Sequence, residues 1–130
     1  MSTLAQQVEV GRPALWFGLL GGASAWTVHL LLAYGVAEFG CVSGFGERIY
    51  LGISIVAWLE VAATVLTTVI AASAAIVAHR SYRILRSQNL EDAGIAAGEY
   101  TARAGFITSG IFTFIILFES IPILFYLRTC

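Results

Sequence analysis

Three long apolar runs constrain this chain more than any other feature of its sequence. Residues 13–37 carry no formal charge, residues 49–78 carry only Glu60, and residues 104–127 carry only Glu119. A bilayer core about 30 Å thick is crossed by about 20 helical residues, and each run is longer than that. Segments of ~10 alternating residues, as a membrane barrel requires, are absent. The expected fold is all-α: an integral membrane protein with three transmembrane helices forming one domain over residues 1–130. The second run is long enough to tilt or to project into the interface. Ala23-Ser24-Ala25 resembles a signal-peptidase site, but the apolar run continues well beyond it, so the first run reads as an uncleaved anchor.

The charges give an orientation. All seven basic residues are arginines. In a three-span arrangement Arg12, Arg80, Arg83, Arg86 and Arg103 fall on one side, and Arg48 and Arg128 on the other. The excess of arginine predicts a cytoplasmic N-terminus, a cytoplasmic loop over residues 79–103 and an outward C-terminus. Ile84 and Leu85, set among arginines, are placed to continue the second helix along the membrane surface. With 12% charged residues and a net charge of −1, the chain has no electrostatic basis for binding nucleic acid. Its expected surroundings are lipid and other membrane subunits.

Inside the apolar runs lie three ionisable groups, His29, Glu60 and Glu119. Counted at 1.5 Å per residue, all three sit about 13–15 Å from the same membrane boundary. Charged groups at that depth cost about 2.5–3.5 kcal/mol and rarely face lipid. The spacing therefore predicts a buried polar cluster of His29, Glu60 and Glu119, serving either to fix helix register or to move protons. If its role is structural, Glu60→Gln should be milder than Glu60→Leu, because the amide keeps a hydrogen-bonding group. Small residues follow His29 on one stripe of the first helix, and Gly18 and Gly22 have the spacing of close helix packing. Glu60, Thr64, Thr67, Ala71 and Ala75 form a stripe on the second helix, and Gly105, Thr108, Phe112 and Glu119 one on the third. Pro122, three residues after Glu119, is the one broken-helix signal.

Cys41 and Cys130 both fall on the outer side, where a disulfide can form. Unpaired thiols are the equal alternative. No CxxC spacing supports a redox motif. His29 and His79 lie at different depths, so this chain alone cannot supply two facing haem ligands. No metal site and no catalytic residue are expected, and there is no phosphate loop or nucleophile elbow.

The segment Leu15-Trp16-Phe17-Gly18-Leu19-Leu20-Gly21-Gly22, followed by Ala25-Trp26, His29-Leu30, Tyr34 and Cys41, resembles small, poorly characterised bacterial membrane proteins associated with haem–copper cytochrome oxidase genes and related respiratory assemblies. The resemblance covers about the first 41 residues. It implies a bacterial inner-membrane location and a non-catalytic accessory subunit of a respiratory or electron-transfer complex, aiding assembly, stability or contact between complexes. Haem, copper or quinone would then belong to partner subunits, and none would be bound by this chain alone. The alternative reading is a homo-oligomeric transporter or proton-conducting protein using His29, Glu60 and Glu119.

Overall fold

In the computed structural model residues 10–126 are described, except for the side chains of Ile123, Leu124 and Tyr126. Three helices, α1 (Arg12–Val42), α2 (Ile55–Arg86) and α3 (Ala93–Tyr126), make up nearly all of it. Each is long and apolar enough to cross a membrane, so the protein is a multi-pass, all-α membrane protein. At 31, 32 and 34 residues the helices are roughly 46–51 Å long and overshoot the bilayer core. All three pack against one another.

The helix ends follow from local chemistry. Pro13 occupies the first turn of α1, where its missing N–H would have no partner anyway. The chain leaves α1 through Gly44, at φ 75°, a left-handed conformation that suits glycine. Ser54 caps α2 by accepting the Ala57 N–H at 3.2 Å. Arg83 and Arg86 lie in the last turn of α2, where they oppose the helix dipole. Asp92 starts α3 by accepting from the N–H groups of Gly94 and Ile95 at 2.8 and 3.2 Å.

Several element boundaries differ from those expected. Residues 49–54 are not the start of a helix. They form a two-stranded antiparallel hairpin, β1 (Ile49–Tyr50) with β2 (Ile53–Ser54), pairing Ile49 with Ser54 and Tyr50 with Ile53. Leu51 and Gly52 make the turn at φ 52° and 79°, the positive-φ pair that a two-residue hairpin loop needs. α1 runs to Val42, so Cys41 lies in its last turn and not in a loop. Most of the expected 79–103 loop is helical, because α2 continues to Arg86 and α3 begins at Ala93. Only residues 87–92 connect them. Pro122 lies within α3 without ending it.

Helix contact depends on missing side chains. A Cβ on Gly18 would lie 2.8 Å from the Ala78 Cβ, one on Gly21 2.7 Å from the Ala74 Cβ, and one on Gly22 2.5 Å from the Ser109 Cα. Near the hairpin, Gly40 leaves the space that Val56 fills. With no water to expel from between them, helices in lipid gain from such close backbone approach.

Candidate functional site

The polar centre of the bundle is one layer, built by all three helices. α1 contributes His29, α2 contributes Glu60, Thr64 and Thr67, and α3 contributes Ser120. His29 and Glu60 are both 0% exposed, with His29 Nε2 3.8 Å from Glu60 Oε1. That is ion-pair range but too long for a hydrogen bond. His29 Nδ1 lies 3.2 Å from Thr67 Oγ1, and Nε2 lies 3.3 Å from Ser120 Oγ. The Thr67 hydroxyl donates to the Ala63 carbonyl and the Ser120 hydroxyl to the Ile116 carbonyl, each at 2.7 Å. Each hydroxyl has one proton, so these short contacts leave oxygen lone pairs facing the imidazole. A proton on either ring nitrogen thus finds an acceptor. The Thr64 and Ser120 hydroxyls join at 2.9 Å. Neither carboxyl oxygen of Glu60 has a hydrogen-bond partner.

Among the described residues, buried apolar side chains flank this centre on both sides. One helical turn towards residues 87–92, Ala25, Ala71 and Ile116 form a buried cluster with Trp26 against it. One turn towards the hairpin, Ala33 and Val56 are buried, and Val56 and Ala57 pack with Val36 and Ala37. Ala25, Ala33, Val56, Ala71 and Ile116 are each four positions from a member of the polar layer, so the layering follows from the helical repeat.

Glu119 has a different hydrogen-bond partner from the His29–Glu60 pair. It is half-buried at the rim of the bundle, and the Trp26 indole N–H donates to its Oε2 at 3.0 Å. Trp26 also stacks on Phe112, with ring centroids 5.3 Å apart. The structure therefore brings His29 and Glu60 together and gives Glu119 a separate partner. Tyr34 and Glu38 are exposed and do not extend the buried centre. His79 is exposed and lies against Phe106, at 4.9 Å between ring centroids. Gly18 and Gly22 are buried against α2 and α3. The expected Cys41–Cys130 pairing depends on Cys130, which lies outside the described residues.

A second polar contact involves Ser109, which the sequence stripe missed. Its hydroxyl donates to the Gly18 carbonyl at 2.7 Å and accepts from the Gly22 N–H at 3.2 Å. An α-helix joins that peptide pair directly, so Ser109 bridges α1 from outside. The stripe expected on α3 was partly displaced: the buried line runs through Ala102, Gly105, Ser109, Ile116 and Ser120. Only the continuation of the line through Ile116 would have picked out the two serines. Among the described residues no three His, Cys, Asp or Glu side chains are grouped to hold a metal ion. No family model, curated protein or solved structure matches this chain.

Proposed function

We propose that this protein is a non-catalytic accessory subunit of a larger respiratory or electron-transfer membrane complex. The observation that carries the reading is Glu119. It is an acid at the rim of the bundle, within the third span, with one oxygen held by Trp26 and the side chain not fully enclosed. Lipid cannot solvate such a group, and ionisable residues within spans almost always face protein or water. A neighbouring helix with a basic or hydrogen-bond-donating side chain at that level would satisfy it. The respiratory assignment itself rests on the resemblance of the first helix.

The test is extraction in mild detergent, followed by mass spectrometry and an absorption spectrum of the intact particle. Comigration with haem-containing subunits is the expected result. Glu119→Leu should then deplete the partners, and Glu119→Gln, which keeps an acceptor for Trp26, should deplete them less. A small, colourless homo-oligomer would overturn the proposal. It would favour the proton-conducting reading, whose support is the unbonded carboxyl of Glu60 beside His29.

A further inference from the structure

We propose that Arg80 and Arg83 form a headgroup site for an anionic glycerophospholipid at the end of α2 nearest residues 87–92. The site goes beyond the accessory-subunit reading and does not depend on it. Arg80, Arg83, Ile84 and Ser87 stand at i, i+3, i+4 and i+7 and share one helix face. Together they line a recess of about 380 Å³. Among the described residues neither guanidinium has a carboxylate within ion-pairing distance. Arg86 is engaged differently, bonded to the Tyr82 hydroxyl and lying over its ring.

Charge and surroundings both select a lipid. A phosphate diester accepts well from guanidinium N–H groups. The Ser87 hydroxyl donates to the Ile84 carbonyl at 2.7 Å, leaving its oxygen to accept from a glycerol headgroup hydroxyl. The same face of α2 continues into the span as exposed Ile76, Val69 and Val65. Acyl chains leaving the recess would lie along that stripe. A soluble phosphate or an acidic peptide would use the arginines but gain nothing from the stripe. Basic recesses at the ends of spans bind anionic lipid headgroups by this combination of charge and depth. Balancing the helix dipole explains arginines in the last turn, but it does not explain two arginines that share one recess in line with an exposed apolar stripe.

The experiment reconstitutes the full chain in vesicles of phosphatidylcholine with an equal share of phosphatidylglycerol. It then counts lipids retained on the detergent-extracted protein by native mass spectrometry. Wild type should retain phosphatidylglycerol in preference to phosphatidylcholine. R80Q/R83Q should lower that retention about tenfold or more. R12Q/R103Q removes the same charge from the same end and should leave it nearly unchanged. R80K/R83K, which keeps charge without the planar fork, should fall between. Equal loss in the two glutamine variants would reduce the site to a diffuse field and overturn the proposal. So would the absence of lipid preference in wild type, or full displacement of the lipid by millimolar inorganic phosphate.

Discussion

Glu60 is buried to 0% exposure, and neither of its oxygens is hydrogen-bonded. A carboxyl group left so in the interior of a bundle destabilises it, because it has given up water and gained no donor. Leucine has a similar volume and carries no such penalty. His29 would keep its contacts to Thr67 and Ser120, and both hydroxyls would keep their carbonyls. Glu60→Leu is therefore expected to stabilise the detergent-solubilised protein by about 1–3 kcal/mol, the usual cost of leaving a buried polar group without a partner. Glu60→Gln should change stability little, since the amide inherits the same lack of partners. This reverses the order expected from the sequence, which assumed that Glu60 has a hydrogen bond to lose. Thermal unfolding of the two variants decides between the orders. A clear loss of stability in Glu60→Leu would mean that Glu60 is bonded in the native state. A gain would mean that Glu60 is retained for a reason other than folding.

At the scale of elements, the glycines of α1 divide into two kinds. At Gly22 an added methyl would meet the Ser109 backbone at 2.5 Å, while at Gly35 nothing lies within 4 Å. Gly22→Ala should push α1 from α3 and strain the Ser109 bridge, costing about 1–3 kcal/mol as overpacking does. Gly35→Ala should be neutral or stabilise by up to ~1 kcal/mol through helix propensity. Paired melting curves in one detergent test both, and equal effects would refute the close contact. The span positions were legible because apolar runs of that length have one common solution in lipid. Their ends were not. Arg80, Arg83 and Arg103 read as loop by polarity, yet helices that overshoot the bilayer carry such residues on their exposed faces. Residues 49–54 erred the other way: Ile49, Tyr50, Leu51 and Ile53 are as apolar as a span, and only Gly52 hints at a turn. The His29–Glu60 pairing was readable from depth. Thr67 was on the expected stripe, but Ser109 and Ser120 were not. Small polar residues occur on any face of a membrane helix, so their spacing alone does not say which neighbour they meet.

Across the whole molecule, the layering of the core bears on whether one copy can pass protons. The centre made by His29, Glu60, Thr64, Thr67 and Ser120 offers groups that hold and exchange a proton. Ala25, Ala71 and Ile116 cover it on one side, and Ala33 and Val56 on the other. Beyond the first cover, α2 continues its buried face with Ala74 and Ala78, so that face from Ala71 to Ala78 offers no side-chain proton acceptor over about 10 Å; Ser73 lies off it and donates to the Ile70 carbonyl. Ser109 lies in that region, but its hydroxyl proton is held by the Gly18 carbonyl at 2.7 Å. A hydrogen-bonded relay needs donors and acceptors at successive contacts, and alanine side chains supply neither. Vesicles containing the purified protein, with a pH-sensitive dye inside and an imposed membrane potential, should therefore acidify no faster than empty vesicles. Wild type, Glu60→Gln and His29→Leu should be indistinguishable. Flux in wild type that both substitutions abolish would show that the apolar layers open, or that further copies complete the path. The centre would then be a transport site, and Glu119 at the rim would be the first place to look for contact between copies.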